Sequence, residues 1–559
     1  MDKKADFGVL YGQKTTEDAL LIYSSYEDSK VSPRTGDFIV LAPSNEDGTK
    51  FLARVEAEIY DEDPIFRSQD KTLVAVHYAR IADRELSERD KQKIFSYTYK
   101  VRILGTFENS AQNFTTAVRK LPTVSYHARH LNLNEVEKIL NAENQNGVEI
   151  GHLCIGEDIR ANDPIRFDVG KLKDRRTMVF SQSGFGKTNL VKVLLCNMIS
   201  NTDYGKLIFD LNGEYFFNGT RTYGLGAIND TKIKDNLVLY TNKYKNNEEI
   251  FNKGYAESLR GKVSINMHKH LTVRDILDFS TGFSEVMTSF LLYLEGEQVE
   301  KFISNIDNYV RNPSSLYIDF PDFWAPKSSQ KDSTQKESTE DKSARRTIAA
   351  IKKRIAYLIE EDKGLHSASS NLINDVLKYL KEGKTVIIDL SLNDTSEASI
   401  ISTILVRELF EHNKRYFSSN EPDEIINAVI FMEEAQNVLS DELVRSNANP
   451  FVRLAKEGRK FGLGLVAITQ RPSAISEEIR TQAENFFTFH MGNSDDIRAL
   501  VKSNINYDGV ISKFIQTETI KGNLYMVSSE QAFVLPVRAH RFEKLVGERV
   551  AKSLKLKNE

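Results

Sequence analysis

Cysteine is scarce in this chain of 559 residues, which contains only Cys154 and Cys196. Two cysteines cannot form a disulfide scaffold or a cysteine-rich zinc cluster, and their scarcity is typical of a reducing compartment. Long hydrophobic runs are also missing, because no stretch approaches the roughly eighteen apolar residues that a membrane span needs. We therefore expect no membrane span, no signal peptide and a cytoplasmic location.

A strong excess of either charge is absent as well. The chain has 75 Lys and Arg residues against 79 Asp and Glu residues, for a net charge of -4. This balance excludes a protein that coats nucleic acid with a uniformly basic surface, but it allows a basic groove or pore inside a near-neutral molecule. The length is too great for a single hydrophobic core, so we expect roughly two or three domains.

Turn residues separate short β-like runs in the first part of the chain. The clearest runs lie at 38–41, 51–55 and 97–104, and they predict a small N-terminal β-barrel within residues 1–125. A polar connector, residues 126–164, follows and contains one predicted short helix at 134–141.

From about residue 165 the pattern changes, and apolar strand-like runs alternate with helical patterns. This alternation predicts an α/β fold with a mostly parallel sheet and helices on both faces. The predicted strands of this sheet lie at 178–180, 207–209, 386–388, 428–432, 465–468, 486–489 and 523–527.

A mostly helical segment, 272–380, interrupts this α/β pattern, so the predicted core covers residues 165–271 and 381–559. Residues 326–343 are almost entirely polar and are predicted to form a disordered loop within the insertion. The basic helix that follows, 345–360, is read as a solvated face over a packed stripe rather than as a DNA contact.

A phosphate-binding loop is indicated by Ser181-Gln182-Ser183-Gly184-Phe185-Gly186-Lys187-Thr188, between the first predicted core strand and a helix at 189–200. In such a loop backbone amides surround phosphates, Lys187 reaches the β- and γ-phosphates of ATP, and Thr188 ligates Mg²⁺. Ser181 occupies the usual place of the first glycine, and a chance glycine loop is the alternative. The loop residues predicted to bind nucleotide are Ser183, Gly184, Phe185, Gly186, Lys187, Thr188 and Asn189.

Two carboxylates follow the predicted strand 428–432 and supply the acids that such a loop needs. Glu433 is predicted to hold Mg²⁺, although aspartate is commoner there, and Glu434 to orient and deprotonate the attacking water. The alternative is a pair of exposed acids that start a helix.

Three further polar residues stand at or near strand ends. Gln470 is predicted to sense the γ-phosphate, and Arg459 to stabilise transferred charge from a neighbouring subunit. Asp210 ends the strand 207–209 and is predicted to face the ligand crevice as a catalytic residue. A plain surface arginine is the alternative for Arg459, and a turn-capping aspartate is the alternative for Asp210.

In this order, the motifs resemble the HerA family of the HerA/FtsK class of P-loop translocases, over nearly the whole chain. Gly36-Asp37-Phe38-Ile39-Val40 is similar to the family's N-terminal HAS barrel. Glu457-Gly458-Arg459-Lys460, Thr469-Gln470-Arg471-Pro472-Ser473 and Met491-Gly492-Asn493 resemble its C-terminal half.

The resemblance implies a RecA-like ATPase core in a homo-hexamer, with ATP and Mg²⁺ at each interface and double-stranded DNA in the pore. It implies that Lys187, Thr188, Glu433, Glu434 and Gln470 act in cis and that Arg459 acts in trans. An arginine just ahead of the P-loop strand is also common in the family. Arg176 is taken as that nucleotide-binding residue, with Arg175 left open.

Relatives of this family work with a partner effector, either a nuclease or a sirtuin-type NAD hydrolase, in antiphage defence or DNA-end processing. We find no HKD or HNH nuclease pattern and no second metal cluster in the sequence, so the effector is expected to be another polypeptide that docks on the N-terminal barrel. The alternative function is an ATP-binding ring that assembles and regulates that effector, with DNA transport secondary. A membrane-anchored pump and an ABC-type transporter are disfavoured by the missing membrane spans and signature motif.

Overall fold

The computed structural model describes most of the chain. The described residues are 6–13, 19–25, 33–44, 48–61, 96–108, 114–140, 147–155, 158–243, 258–279, 283–294, 339–359, 365–446, 449–529, 531–550 and a few between 301 and 311. They form two compact units: one comprises Met1–Val169, Phe180–Leu190 and Glu484–Arg541, and the other Gly170–Val179, Val191–Ala483 and Phe542–Glu559. We call these the first and the second unit.

The described strands and helices alternate through most of the second unit, whereas strands dominate the first. The strands are β1 (Asp6–Gln13), β2 (Ala19–Ser25), β3 (Phe38–Ala42), β4 (Lys50–Asp61), β5 (Ser96–Phe107), β6 (His127–His130), β7 (Val148–Ile155), β8 (Asp158–Phe167), β9 (Arg176–Phe180), β10 (Gly205–Asp210), β11 (Leu237–Thr241), β12 (Leu259–Gly261), β13 (Thr385–Asp389), β14 (Ala428–Met432), β15 (Leu463–Thr469), β16 (Asn485–Thr488), β17 (Asn523–Ser528) and β18 (Gln531–Ala539). The α-helices are α1 (Leu133–Glu135), α2 (Lys187–Asn201), α3 (Thr231–Asp235), α4 (Met267–His270), α5 (Val273–Phe279), α6 (Glu285–Tyr293), α7 (Thr339–Ile359), α8 (Leu372–Lys381), α9 (Thr395–Ser419), α10 (Asp441–Ser446), α11 (Pro450–Glu457), α12 (Glu477–Arg480), α13 (Ser494–Ser503), α14 (Val510–Thr517) and α15 (Phe542–Val546).

The first unit contains a closed barrel in the strand order β1-β2-β5-β4-β3-β6. Alternate residues of β4, namely Phe51, Ala53 and Val55, enter the apolar core of the barrel because successive side chains of a strand point to opposite faces. The sixth strand, β6, lies just beyond residue 125, the predicted limit of the barrel. A small N-terminal β-barrel is confirmed, while the predicted domain boundaries stay predictions.

The first unit also contains five neighbouring strands of a larger sheet, in the order β16-β17-β18-β7-β8. These five strands pair antiparallel throughout. Phe533 of β18 packs edge-on against Phe38 and Phe114, with ring centroids 5.9 and 6.0 Å apart. These aromatic contacts join the barrel to the sheet within the unit.

The second unit is built on a sheet with the order β12-β11-β13-β10-β14-β15-β9. The pairs from β12 to β15 are parallel. Every residue of β10, β13, β14 and β15 is buried. Strands that are buried along their whole length are typical of a parallel sheet that is covered on both faces. The mixed α/β fold with a mostly parallel sheet is therefore confirmed.

The predicted core strands and the helix after the phosphate-binding loop are all present, with ends that differ by a few residues. The short helix at 134–141 is found as α1 and a following π turn, Val136–Leu140. Residues 326–338 of the predicted disordered loop lie outside the described residues, and residues 339–343 form the start of α7. None of the helices that the structure describes combines the length and the apolar character needed to cross a bilayer.

Candidate nucleotide-binding and hydrolysis site

The phosphate-binding loop leaves the buried strand β9 and leads directly into α2. Gly184 and Gly186 have φ angles of +83° and +116°, which side chains with a Cβ rarely adopt. A Cβ built on Gly184 would meet no atom within 4 Å, so open space surrounds this turn. Lys187 is buried at the start of the helix, with 8% of its surface exposed. The loop thus has the backbone form of a phosphate cradle at a helix N-terminus.

The loop is held by three segments of the first unit. The amide of Gln182 donates to the carbonyl of His490 at 2.9 Å, and the amide of Gly522 donates to the carbonyl of Phe185 at 2.9 Å. The Phe185 ring lies 4.4 Å from the His490 ring, centroid to centroid. The Asn189 side chain donates to the carbonyl of His540 at 2.7 Å. Phe185 and Asn189 therefore contact protein groups in addition to their predicted nucleotide roles.

Ser181 fits a position where glycine is usual. Among the described residues other than glycine, only Ser125, Asn420 and Glu434 have positive φ angles, so Ser181 needs no glycine conformation. Its buried hydroxyl donates to the carbonyl of Gln182 at 2.8 Å. The departure from the usual loop pattern therefore imposes no backbone strain at this residue.

Glu433 follows β14 in the second unit and is almost completely buried, with 1% of its surface exposed. Tyr215 donates its hydroxyl proton to Oε1 at 3.0 Å, and the Asn212 amide donates to Oε2 at 3.0 Å. A buried carboxylate is costly without such donors. The two hydrogen bonds hold the carboxylate in one orientation, which is what a metal-binding acid requires.

Glu434 adopts a left-handed backbone conformation, with φ 46° and ψ 45°. Its Oε1 accepts from the Gln470 amide at 3.1 Å, and its Oε2 accepts from the Gln436 amide at 2.8 Å. A non-glycine residue in this region carries backbone strain of about 1–3 kcal/mol, and such strain clusters at functional sites. Two predicted site residues, Glu434 and Gln470, are thus in direct contact.

Asp210 is completely buried at the end of β10 and caps the turn that follows. Its carboxylate accepts hydrogen bonds from the amides of Gly213, Glu214 and Tyr215 at 2.7, 3.1 and 3.0 Å. Burial raises the pKa of Asp210 to about 6, and the nearby Asp389 carboxylate adds to the rise. These contacts are those of a capping aspartate, the alternative that the sequence left open, and a catalytic role stays a prediction.

The predicted arginines lie in different surroundings. Arg459 is exposed in the 3-10 turn Gly458–Phe461, as a residue offered to another subunit must be. Arg176 begins β9, at the opposite end of that strand from the loop, and donates to the carbonyl of Ala455 and to Gln482 Oε1 at 3.1 and 2.7 Å. Its nucleotide role stays a prediction, as does that of Arg175.

The sequence did not identify the residues that orient the two glutamates. Asn212 and Tyr215 belong to the run 210–215, in which the sequence predicts a role only for Asp210, and Gln436 lies two residues after Glu434. The roles of Asn212 and Tyr215 depend on contacts across 221 and 218 residues of sequence. A polar run directly after a buried strand was the available signal.

A glycine loop between a buried strand and a helix, with paired acids at the end of another strand of a parallel sheet, defines a P-loop NTPase.

The family described as "Helicase HerA, central domain" matches residues 148–409, and the family described as "Zonular occludens toxin (Zot)" matches residues 347–497. The protein named "Probable helicase MJ1565" from Methanocaldococcus jannaschii is 22% identical over 493 residues, which are 87% of this chain and 81% of that protein. The "DNA double-strand break repair helicase HerA" of Pyrococcus furiosus is 23% identical over 436 residues, 72% of this chain and 71% of that protein. The chain is therefore similar to the HerA family of P-loop ATPases over residues 148–409.

Two solved structures are also similar to parts of the chain. VirB4 of Thermoanaerobacter pseudethanolicus matches with a TM-score of 0.40 and 11% identity, over 70% of this chain and 96% of that one. The plasmid coupling protein TrwB in complex with ADP and Mg²⁺ matches with a TM-score of 0.41 and 10% identity, over 71% of this chain and 95% of that one.

Proposed function

We propose that this protein hydrolyses ATP to translocate double-stranded DNA through a ring of six copies. The observation that carries the proposal is the contact of Glu434 with Gln470 at 3.1 Å, directly after a buried strand. It pairs the predicted catalytic base with the predicted γ-phosphate sensor. The relatives named as DNA repair helicases supply the expected substrate, double-stranded DNA.

The residues present suit a nucleotide with Mg²⁺. We assign the phosphate-binding loop and Glu433 to one nucleotide, because a P-loop needs a metal-binding carboxylate at the end of another buried strand. Glu433 directly follows the buried strand β14. Gly184, Gly186 and the start of α2 would hold the phosphates, with Lys187 at the β- and γ-phosphates. The Thr188 hydroxyl and Glu433 would hold Mg²⁺, which neutralises the charge that develops on the phosphates.

The chain's own residues then divide the hydrolytic step. Glu434 accepts a proton from the attacking water and fixes the direction of its attack, because the Gln470 and Gln436 amides hold both carboxylate oxygens. Gln470 reports the presence of a γ-phosphate through the same amide. Arg459 of an adjacent copy stabilises the charge on the transferred group, a contribution of about 10³–10⁵ in rate in enzymes of this kind.

Two substitutions separate nucleotide binding from turnover. Lys187→Ala is expected to abolish ATP binding, and Glu434→Gln to retain binding while turnover is lost, because only the base is changed. Binding is measured by equilibrium titration with a fluorescent ATP analogue, and turnover by phosphate release with and without duplex DNA. The control is Arg498→Met, which removes an exposed ion pair with Asp495 and should leave both binding and turnover unchanged.

The scaffold alternative differs in its response to DNA. A translocase is expected to hydrolyse ATP faster when duplex DNA is added, whereas a ring that only organises an effector is expected to turn over ATP at the same rate with and without DNA.

Turnover in Glu434→Gln equal to that of the unchanged protein would contradict the assignment of Glu434 as the catalytic base.

We further propose that a nuclease or a sirtuin-type NAD hydrolase docks on the N-terminal barrel, in antiphage defence or DNA-end processing. The proposal is supported by the similarity of Gly36-Asp37-Phe38-Ile39-Val40 to the family's HAS barrel and by the absence of an HKD or HNH pattern from the sequence. The test is co-purification of an effector encoded beside this protein with the full chain and with a variant lacking residues 1–130. If the truncated ring keeps its ATPase activity and the effector still co-purifies with it, docking on the barrel is contradicted.

A further inference from the structure

A group of three potential metal ligands lies in the first unit, apart from the residues assigned to ATP hydrolysis. Glu149 and His152 belong to β7, and His540 follows β18. One ligand atom from each of these side chains lies within 4.8 Å of the others. Because Glu149 and His540 are 391 residues apart in the sequence, no spacing pattern could reveal the group.

A distortion of β7 places two of these side chains on the same side. Residues three apart on a regular strand point to opposite faces. The pairing of β7 with β8 shifts register between Glu149 and Gly151, and again between His152 and Cys154. Such a bulge re-aims the side chains around it. Glu149 and His152 consequently approach each other, with Nε2 of His152 3.7 Å from Oε1 of Glu149.

His540 completes the group from the neighbouring strand. Its amide donates to the carbonyl of Ile150 at 2.9 Å, which fixes its backbone against β7. Its Nε2 lies 2.8 Å from the same Oε1 of Glu149, and its ring meets the His152 ring edge-on at 5.0 Å. Two imidazoles thus converge on one carboxylate oxygen.

We propose that Glu149, His152 and His540 bind a divalent transition-metal ion of the Zn²⁺ type. Ligand atoms bonded to Zn²⁺ at about 2.0–2.2 Å stand roughly 3–3.6 Å apart, so the observed separations of 2.8 and 3.7 Å need only small side-chain movements. Imidazole with a carboxylate favours Zn²⁺ and its neighbours over Mg²⁺ or Ca²⁺, which prefer oxygen ligands. The three side chains are 24–41% exposed, so water can fill the remaining coordination position.

The sequence predicts no second metal cluster, and this proposal departs from that prediction. It is also independent of the proposed ATPase cycle, because neither histidine nor Glu149 has a role there. The site adjoins the nucleotide-binding segment through the His540 carbonyl, which accepts from Asn189.

The test uses the full chain, stripped of metal and free of nucleotide, titrated with Zn²⁺ by calorimetry and with Co²⁺ by absorption spectroscopy. The unchanged protein is expected to bind one ion at this site, with imidazole-type Co²⁺ bands. His540→Ala and His152→Ala are expected to weaken binding at least about tenfold, since even indirect partners of a ligand are worth about 10–100-fold in affinity. Glu149→Gln keeps the size of the side chain and tests the carboxylate ligand in the same titrations.

His127→Ala is the matched control, because His127 is a half-exposed histidine with a single carboxylate partner, Asp6, at 3.4 Å. It should bind the ion as the unchanged protein does. Zn²⁺ should also raise the melting temperature of the unchanged protein and of His127→Ala, but not of Glu149→Gln. The proposal is overturned if the unchanged protein does not bind the ion. It is also overturned if Glu149→Gln, His152→Ala and His540→Ala bind the ion with the affinity of the unchanged protein.

Discussion

At the scale of single residues, the two glutamates after β14 show what sequence can and cannot predict. Their position after an apolar run identifies Glu433 as a candidate metal ligand and Glu434 as a candidate for orienting the attacking water. The hydrogen bond by which Tyr215 orients Glu433 could not be predicted, because it depends on how loops from separate strands meet. The left-handed backbone of Glu434 is likewise invisible in the sequence.

Tyr215→Phe tests whether the orientation of Glu433 matters for metal binding. The change removes the hydroxyl that donates to Oε1 at 3.0 Å and leaves a buried carboxylate with one fewer donor. We expect the Mg²⁺ concentration for half-maximal ATPase activity to rise by about 10–100-fold, the usual effect of losing a residue that supports a metal ligand. The measurement is ATPase rate against Mg²⁺ concentration.

Tyr507→Phe is the matched control for this prediction. Tyr507 is also completely buried, and its hydroxyl donates to the carbonyl of Tyr525 at 2.9 Å, within the first unit. The Tyr507→Phe substitution should lower the stability of the protein without changing the Mg²⁺ requirement of its ATPase activity. Equal Mg²⁺ requirements in Tyr215→Phe and in the unchanged protein would refute the role given to Tyr215.

Asp210 makes a prediction about pH. Its pKa of about 6 in the folded protein exceeds the ordinary value of 3.8, so the folded state holds more protons than the unfolded state between these values. The contribution of Asp210 to stability therefore falls as the pH rises from about 4 to about 6. In Asp210→Asn this contribution is absent.

Thermal melting at a series of pH values checks this expectation. The melting temperature of the unchanged protein minus that of Asp210→Asn should decrease between about pH 4 and about pH 6, the window set by the two pKa values. Asp210→Asn should be the less stable at each pH, because an amide nitrogen cannot accept from the backbone amides of residues 213–215. A difference that does not change with pH would contradict the buried-carboxylate account.

At the scale of elements, periodicity predicted the buried strands well. The apolar runs 386–388 in β13 and 428–432 in β14 can be recognised in the sequence without reference to neighbouring strands. The short strand β6 falls within the predicted connector, because His127, Arg129 and His130 give it a polar composition. Its place in the barrel depends on pairing with β1 and β3, which single-sequence patterns do not reveal.

An ion pair joins β6 to α1 and gives a prediction about this element. Arg129 donates to both oxygens of Glu135 at 2.9 and 2.7 Å, and both side chains are largely buried. Removing one partner leaves an uncompensated buried charge, so Arg129→Met should lower the stability of the barrel by about 3–5 kcal/mol. The double variant Arg129→Met with Glu135→Leu should recover most of this loss.

Native-state hydrogen exchange of the β6 amides measures these changes as free energies of opening. The control is Arg498→Met, which breaks an exposed pair with Asp495 and should change stability by less than about 1 kcal/mol. A double variant as unstable as Arg129→Met would contradict the buried-charge explanation.

At the scale of the whole molecule, the net charge of -4 no longer argues against DNA as a substrate. A ring that encloses a duplex needs basic residues only along its pore, and a near-neutral exterior leaves surface for a protein partner. The sequence predicts the resemblance to the HerA family because several motifs of that family occur along the chain in the family's order. It could not predict contacts between copies, which no single chain contains.

Arg459 tests the assembly, because a residue acting in trans can be supplied by another copy. Arg459→Ala should bind ATP normally but hydrolyse it about 10³-fold or more slowly. Lys187→Ala should be inactive for a different reason, the loss of ATP binding. Mixed rings of the two variants should recover activity, since Lys187→Ala subunits present Arg459 to intact sites of their neighbours. Mixtures as inactive as either variant alone would place Arg459 in cis.

Displacement of a third DNA strand from a duplex is the measurement that tests the central claim most directly. A motor that moves along double-stranded DNA removes a triplex-forming strand only while it hydrolyses ATP. We predict displacement by the unchanged protein with ATP and Mg²⁺, and none by Glu434→Gln, which binds ATP without turnover. If the unchanged protein hydrolyses ATP but leaves the triplex intact, it is not a DNA translocase.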